Sequence, residues 1–344
     1  MRNCVDRLSE LCGISGRESA VRAYLLEALK SIPAEHTVSV DRVGNILVAM
    51  KGEKAAPHRV LFAAHMDEVG AIVTDITADG FLHFACVGGI VPEVLFARRV
   101  TVNGHVGVIG GKAVHQCKGE EKTKVPAKSA MLIDIGATDR AEAEAVCQVG
   151  DAVCFVNDAV SLGGERFVEK ALDDRAGCAL LLALAKTKPQ YDVTLAFTVR
   201  EEIGNGGAGA VAFALQPEIA VAIDATTAAD IMEAPSHKRV CCMGGGPVVS
   251  FMDRATMYDK SLYDEIFRLA AEQGITVQTK HMVSGGNDAA VMQKAGFGAR
   301  VAAVSLPCRY IHTPSCVLDE RDIRETYRLL ETMMNTLPAW DGVL

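Results

Sequence analysis

The chain has 344 residues, of which 49% are hydrophobic and 23% are charged, a composition typical of a globular protein and not of a disordered or collagen-like one. Its 35 Lys and Arg residues against 43 Asp and Glu residues leave a net charge of −8 without a basic stripe, which argues against nucleic acid as a partner. The longest small and apolar run, residues 176–185, is far shorter than the roughly 20 residues that span a bilayer, so we expect no membrane association. The length favours two domains, or one large α/β domain with an insertion.

The first residues, MRNCVDRLSELCG, predict an amphipathic helix and not a signal peptide, because Asp6 and Glu10 interrupt the apolar residues. We therefore expect a cytoplasmic protein. The chain has 11 cysteines but no CxxC pair, so neither a zinc knuckle nor a thioredoxin-like site is indicated. Cys86, Cys154 and Cys178 lie in apolar runs and are interpreted as buried, reduced thiols.

The next elements alternate between helix and strand. Residues 17–31 predict a helix, since apolar residues recur at helical spacing and Pro33 follows as a stop. Residues 38–52 indicate two strands around a turn, and the apolar run of residues 59–64 is typical of a strand covered on both faces. After residue 67, short β-rich runs separated by glycines indicate a small sandwich or barrel. These runs are Gly70–Ile76, Phe81–Val87, Arg98–Val102, Gly104–Ile109, Met131–Ile135 and Asp151–Val156.

From Glu169 onward, strands and helices alternate again. We expect helices at 174–186, Gly207–Leu215, 260–273, 287–295 and 319–336, and strands at Val193–Val199, Ile219–Asp224, 275–280 and 299–305. This alternation predicts an α/β fold with a mainly parallel sheet and helices on both faces, interrupted by a small barrel-like insertion. The predicted organisation is a catalytic domain of residues 1–66 and 165–344 and a β-rich insertion of residues 67–164.

Acidic residues and histidines follow the predicted strands of this sheet. Five separate segments bring them toward the carboxyl ends of the strands, where open α/β sheets bind ligands. The residues are His65 and Asp67, Asp173, Glu201 and Glu202, Asp224, and His312. Taken singly, such a histidine is more often a hydrogen-bonded structural residue, and an Asp before a helix is usually an N-cap. Together, the five segments favour a metal site.

Histidine and carboxylate ligands suit Zn²⁺, Mn²⁺ or Co²⁺ better than a metal that thiolates select. The candidate ligands are His65, Asp173, Glu202, Asp224 and His312. One catalytic zinc takes about three protein ligands, so this set suffices for two ions if one carboxylate bridges them. Two ions about 3.5–4 Å apart can hold a hydroxide and polarise a carbonyl. Glu201 is then free to act as a general base, and Asp67 can accept the second ring N–H of His65.

A competing motif lies in the same region. Residues 204–209 match GxGxxG after a predicted strand, and Asp224 ends the next strand about 20 residues later, as in a dinucleotide-binding unit. An NAD-dependent oxidoreductase is therefore an alternative. Against it, Glu201 and Glu202 place negative charge where a pyrophosphate would approach, and the histidine segments are left unexplained. A serine hydrolase is a weaker alternative, because no GxSxG elbow occurs.

Six segments resemble, in order, the sequence blocks of the M42 aminopeptidases, a family that includes the tetrahedral and glutamyl aminopeptidases. They are AAHMDEVG (63–70), KALDDRAG (170–177), REEIGNGGA (200–208), IDAT (223–226), SGGNDAA (284–290) and RYIHTPS (309–315). The resemblance covers nearly the whole chain. It implies an exopeptidase with two zinc or cobalt ions, or manganese, that removes N-terminal residues from short peptides. It also implies that the insertion mediates dimerisation and that dimers assemble into a dodecamer.

The resemblance also implies a role for each candidate residue. His65 and Glu202 resemble the ligands of one metal ion, Asp224 and His312 those of the other, and Asp173 the bridging carboxylate. Glu201 resembles the general base, and Asp67 the partner of His65.

Other positions leave the substrate preference open. Cys316 stands where many relatives have an acidic residue, and Asn287 where a Thr is expected. Arg309 either favours an acidic substrate side chain or braces a loop, and Gly285 and Gly286 either line the cleft or shape a loop before a helix. A non-enzymatic assembly protein and an endoglucanase are the remaining alternatives. The second is disfavoured because 5% aromatic residues and one Trp offer few surfaces for stacking sugar rings.

Overall fold

The computed structural model describes residues 1–33 and 35–342. Its helices are α1 (Arg2–Glu10), α2 (Ser19–Lys30), α3 (Pro92–Leu95), α4 (Arg140–Glu144), α5 (Leu172–Ala185), α6 (Gly206–Leu215), α7 (Lys260–Glu272), α8 (Ala289–Met292) and α9 (Glu320–Thr336). Its strands are β1 (His36–Val40), β2 (Ile46–Met50), β3 (Val60–His65), β4 (Gly70–Ile76), β5 (Leu82–Val87), β6 (Arg99–Val102), β7 (His105–Gly110), β8 (Leu132–Asp134), β9 (Ala152–Phe155), β10 (Val160–Gly163), β11 (Arg166–Glu169), β12 (Val193–Thr198), β13 (Ile219–Thr227), β14 (Val248–Val249), β15 (Gln278–Thr279), β16 (Arg300–Cys308) and β17 (Cys316–Asp319). In this part of the chain, no helix has both the length and the apolar character that a membrane crossing requires.

The largest sheet has eight strands in the order β1-β2-β12-β3-β13-β16-β14-β15. The inner strands β12, β3, β13 and β16 pair in parallel, as do β14 and β15, whereas the other three pairings are antiparallel. The sheet is therefore mixed, with four parallel and three antiparallel pairings, and the prediction of a mainly parallel sheet is not confirmed. The antiparallel pairing of β1 with β2 has a local cause in the turn between them, where the Asp41 carboxylate accepts the backbone N–H groups of residues 43–45 at 2.8–3.0 Å. This closes a turn that is too short for the crossover that parallel strands need.

Strand β3 lies in the middle of this sheet and is buried along its whole length, as its apolar run predicted. Phe62 and Ala64 belong to a hydrophobic cluster with residues of α1, α2, α5, α7 and α9. Leu61 and Ala63 belong to another cluster, with residues of α6 and α8. Because successive residues of a strand point to opposite faces, β3 is enclosed from both sides. The last residue of β3, His65, is thereby held at the carboxyl edge of the sheet.

Strands β4, β5, β8, β7, β6 and β9 close into a six-stranded barrel. The short β-rich runs therefore predicted its architecture correctly. The barrel has its own hydrophobic core, which includes Val73, Leu82, Ile109 and Ile133. A separate three-stranded sheet, β10-β11-β17, joins the chain after the barrel to the strand before α9. The domain boundaries at residues 66/67 and 164/165 stay a prediction.

A buried ionic network holds the segment between α1 and α2. The Glu68 carboxylate accepts Nζ of Lys170 at 2.8 and 2.9 Å and Nη2 of Arg175 at 3.1 Å. It also accepts the backbone N–H of Gly13 at 3.0 Å. Lys170 and Arg175 donate in turn to the Leu11 carbonyl, at 3.0 and 3.2 Å. One carboxylate therefore balances two buried cations and fixes a loop.

The same segment carries Cys12, which forms a disulfide with Cys154 of β9 with a Cα–Cα distance of 5.7 Å. The interpretation of Cys154 as a reduced thiol is therefore wrong. The two cysteines are 142 residues apart, and the packing of the N-terminal segment against the barrel brings them together, which no local pattern reveals. Cys86 and Cys178 are free thiols, as expected, but Cys86 is half-buried and only Cys178 is buried.

Substitution Glu68→Gln should lower the free energy of unfolding by about 3 kcal/mol or more, because it leaves Lys170 and Arg175 buried without a counter-charge. Urea unfolding followed by circular dichroism measures the change. Glu10→Gln is the matched control, since it removes only an exposed partner of Arg7 and should leave the stability nearly unchanged. A loss in Glu68→Gln no larger than that in the control would contradict this account.

Candidate metal centre

The five predicted ligands meet at the carboxyl edge of the inner parallel strands. His65 ends β3 and Asp224 lies in β13, while Glu202 follows β12 and His312 follows β16. Asp173 lies in the first turn of α5. Since parallel neighbours end at the same edge, side chains far apart in sequence converge there.

Asp173 lies between the two histidines. Its Oδ1 atom is 3.1 Å from Nε2 of His65, and its Oδ2 atom is 3.3 Å from Nε2 of His312. Oδ1 of Asp224 is 3.7 Å from Nε2 of His65, and Oε2 of Glu202 is 3.3 Å from Nε2 of His312. These distances group His65 with Asp224 and His312 with Glu202, which differs from the pairing that the resemblance implied. His65, Asp173 and Glu202 also offer ligand atoms within 4.8 Å of one another.

Asp67 is fully buried behind His65 and holds the loop after β12. Nδ1 of His65 lies 3.1 Å from the backbone carbonyl oxygen of Asp67 and 3.5 Å from its Oδ1, so the carbonyl is the nearer acceptor. The Asp67 carboxylate accepts the backbone N–H groups of Glu201 at 3.0 Å and Glu202 at 3.2 Å, and the Ser15 hydroxyl at 2.6 Å. Asp67 therefore positions the two glutamates as well as the imidazole.

The Glu201 side chain is held by residues that the sequence analysis did not identify. Nδ2 of Asn205 donates to Oε1 of Glu201 at 2.9 Å and to Oδ1 of Asp288 at 3.2 Å. Asp288 is buried and also accepts the Thr198 hydroxyl at 2.6 Å. Asn205 and Asp288 belong to segments noticed for their glycines, but their contact depends on the packing of α6 near α8 and not on a sequence spacing.

Fully ionised, the buried carboxylates would carry more negative charge than the two imidazoles balance, and their pKa values reflect this repulsion. Burial and the neighbouring charge of Asp173 raise the pKa of Glu202 to about 8 and that of Asp224 to about 7. Asp173 behaves differently: burial acts to raise its pKa, but hydrogen bonds from His312 and His65 outweigh burial and lower it. A cation among these oxygens would offset the repulsion between the carboxylates.

Two carboxylate oxygens of the cluster lack partners. Oε1 of Glu202 and Oδ2 of Asp174 are buried and accept no hydrogen bond within the described part of the chain. Asp174, which is not among the ligands predicted from the sequence, offers a ligand atom within 4.8 Å of those of His65 and Asp224. Buried oxygens without partners are costly, and a divalent cation is a partner for both. The residues present therefore fit divalent metal ions.

A cavity of about 440 Å³ opens beside the cluster and is lined by four of the five candidate ligands, Asp173, Glu202, Asp224 and His312. Gly285 and Gly286 line it as well. Arg309 is not among the lining residues, because its guanidinium is held by Asp230, with Nε 2.6 Å from Oδ1 and Nη2 2.9 Å from Oδ2. Of the two interpretations of Arg309, this geometry favours the loop brace.

The Cys316 thiol supports the loop that carries His312. Its Sγ atom is 3.3 Å from the Thr313 carbonyl oxygen and 3.5 Å from that of Tyr310. The Thr313 hydroxyl also donates to the Tyr310 carbonyl at 2.7 Å, and Nδ1 of His312 lies 2.9 Å from the Gly89 carbonyl oxygen. The unusual cysteine is therefore a structural part of the loop.

The glycine motif does not form a dinucleotide-binding unit. Strands β12 and β13, on either side of α6, are separated by β3, whereas the first two strands of such a unit are neighbours. Gly207 has a packing role instead, because a Cβ there would lie 2.3 Å from Oδ1 of Asn45 and 2.4 Å from the Val199 carbonyl oxygen. The NAD alternative thus loses its structural basis.

A model of the M42 glutamyl aminopeptidase family matches residues 44–329 of the chain. The chain belongs to the M42 aminopeptidase family. The lysyl aminopeptidase of Pyrococcus furiosus is 30% identical to it over 349 residues, which cover 98% of this chain and 97% of that protein. Family membership identifies a metal-dependent aminopeptidase, with the histidine and carboxylate groups above as candidate ligands for divalent ions.

Solved structures of the family resemble this chain over nearly its whole length. The TET aminopeptidase from the marine sediment archaeon Thaumarchaeota archaeon SCGC AB-539-E09 is 30% identical with a TM-score of 0.93, covering 98% of this chain and 96% of that one. The Pyrococcus horikoshii TET1 peptidase, which can assemble into a tetrahedron or a large octahedral shell, is 30% identical with a TM-score of 0.86, covering 97% and 99%. The M42 resemblance seen in the sequence is thereby confirmed.

Substitutions Asp224→Asn and Glu202→Gln should each weaken divalent metal binding by at least about tenfold, because each removes an anionic oxygen beside a histidine. Elemental analysis after dialysis against limiting Zn²⁺ measures the bound metal. Asp230→Asn is the control, since Asp230 pairs with Arg309 outside the cluster and this variant should retain its metal. Unchanged metal content in both site variants would reject these ligands.

Proposed function

We propose that the chain removes N-terminal residues from short peptides at a centre of two divalent ions, zinc or cobalt, with manganese as a substitute. The main support for this proposal is the position of Asp173. One of its carboxylate oxygens lies beside His65 and the other beside His312. His65 with Asp224, and His312 with Glu202, supply the remaining ligands of the two ions. When bound, such ions polarise the peptide carbonyl and lower the pKa of bound water.

Glu201 is the proposed general base. Its carboxylate lines the same cavity as the ligands, and Asn205 fixes it by donating to Oε1 at 2.9 Å. Oε2 has no hydrogen-bond partner within residues 1–33 and 35–342, so it is the oxygen that can take a proton. In the proposed reaction Oε2 accepts the proton of the attacking water and passes it to the nitrogen of the leaving amine.

The groups at the catalytic end of the cavity support an exopeptidase. Glu202 and Asp224 are taken up by the proposed ions, whereas the carboxylate of Glu201 lines the cavity and holds no ion. A free N-terminal amine can therefore bind to an ion or pair with the Glu201 carboxylate. An internal peptide bond has no free amine for either contact.

The barrel is the proposed surface for self-association. On β7, Val106 and Val108 are 58% and 43% exposed, and Val114 beyond it is 70% exposed. Exposed apolar residues grouped in this way are typical of an interaction surface. Since a relative can assemble into a tetrahedron or a large octahedral shell, we propose that the insertion of residues 67–164 dimerises and that the dimers form a dodecamer.

Hydrolysis of aminoacyl-nitroanilides and of short peptides with free or acetylated N-termini tests the function. After chelation, adding back Zn²⁺, Co²⁺ or Mn²⁺ should restore cleavage of the free N-termini only. Sedimentation velocity on the same protein should show an oligomer, and a monomer would contradict the role proposed for the barrel. Folded, assembled protein that cleaves nothing with any of these ions would contradict the aminopeptidase, and an NAD titration would follow.

Glu201→Gln should lower kcat by about 100-fold or more while bound metal stays near the wild-type amount, because an amide cannot accept the proton. Asn205→Leu should lower kcat by about tenfold, since it removes the donor that orients Glu201. In the double variant the two losses should not add, because Asn205 acts through Glu201. Additive losses would show that Asn205 acts elsewhere.

A further inference from the structure

Lys280 is a buried cation in the wall of the catalytic cavity. It directly follows β15, where its backbone N–H donates to the Val249 carbonyl at 3.0 Å. The residue is only 6% exposed and lines the cavity together with the metal ligands. Among the lining residues of the described chain, it is the one lysine or arginine.

The ammonium group of Lys280 has no ion pair and no hydrogen bond to another described residue. The other buried cations of the described chain, Lys170 and Arg175, share the carboxylate of Glu68. Arg309, near the cavity, is neutralised by Asp230. Most of the Lys280 side chain is buried, and its ammonium lies at the cavity wall without an anion beside it, so it can pair with an anion that enters the cavity.

Three hydroxyl groups of the cavity wall are also unused. Thr226, Thr227 and Ser284 line the same cavity, and none of their hydroxyls forms a hydrogen bond within the described residues. An ammonium and several hydroxyls are donors, and a carboxylate has lone pairs for all of them. The cavity thus combines carboxylates of the metal centre with a set of donors that suits an anion.

Building on the proposed aminopeptidase function, we propose that Lys280 binds a carboxylate of the peptide substrate. A short peptide has two groups of this chemistry, the side chain of an acidic N-terminal residue and the C-terminal carboxylate. Either one would give the Lys280 ammonium its counter-charge while the amino end of the peptide lies at the metal centre. Lys280 is therefore a specificity-determining residue, and its removal should affect KM for one class of substrates more than kcat.

Two matched substrate pairs separate the sources of the carboxylate. Comparing Glu-p-nitroanilide with Gln-p-nitroanilide tests whether Lys280 binds the carboxylate of the N-terminal side chain. Comparing Leu-Gly-Gly with its C-terminal amide tests whether Lys280 binds the C-terminal carboxylate. Lys280→Met should lower kcat/KM for the carboxylate member of one pair by about 10- to 100-fold, mainly through KM, and for its neutral partner by less than about threefold. Lys280→Arg should restore part of the preference, because it keeps the charge.

Lys260→Met is the control, because Lys260 is exposed and paired with Asp264 outside the cavity. Isothermal titration of the metal-loaded protein with glutamate, glutamine, glycylglycine and glycylglycinamide gives a readout that needs no turnover. If the wild type shows no cleavage while Lys280→Met, compared with the wild type, loses carboxylate binding in the titration, the proposed function fails and this inference stands. If Lys280→Met and Lys280→Gln, shown to be folded, change both members of each pair equally in kinetics and titration, Lys280 only balances the charge of the centre and the inference is wrong.

Discussion

The crowding of buried carboxylates at one edge of the sheet is the constraint on which the rest of the site depends. Four parallel strands end there, so their side chains converge even though like charges repel. These buried carboxylates are stabilised because the fold places hydrogen-bond donors beside them. Asp173 lies against two imidazoles, Asp67 accepts two backbone N–H groups, and Asp288 accepts a hydroxyl. The oxygens left without a donor are the ones that a cation can use.

The N-terminal segment connects this edge to the barrel. Within a few residues, Cys12 is bonded to Cys154 of β9, Gly13 donates to Glu68, and Ser15 donates to the Asp67 carboxylate. Asp67 in turn holds the backbone of the loop with the proposed base. The same N-terminal segment therefore contacts both the barrel and the metal centre. An assembly formed through the barrel would lie next to this segment, which also contacts Asp67 and, through it, the loop of Glu201.

The sequence predicted features that are local or repeated along the chain. The buried strand β3, the barrel and the convergence of five ligands all follow from short patterns and from the rule that parallel strands end at one edge. It did not predict which individual side chains of distant segments pair with each other. Arg309 meets Asp230, 79 residues away, and Asn205 meets Asp288, 83 residues away, through packing that no spacing encodes. The antiparallel pairing of β1 with β2 follows from the predicted turn between them, whereas the other two antiparallel pairings join distant segments and were not predicted.

The comparison of Arg309 with Lys280 shows why residue type alone does not assign a substrate contact. Arg309 lies in a family block and is a strong anion ligand by type, yet Asp230 already satisfies its guanidinium. Lys280 lies in no such block, yet its side chain is mostly buried, lines the cavity and has no anion beside its ammonium within the described residues. The free energy that favours substrate binding comes from groups whose interactions are incomplete before the substrate arrives. The same criterion applies at the metal centre, where the unpartnered oxygens of Glu202 and Asp174 lie among the groups that would hold the ions. Catalysis and specificity in this chain are therefore assigned to groups that folding leaves unsatisfied.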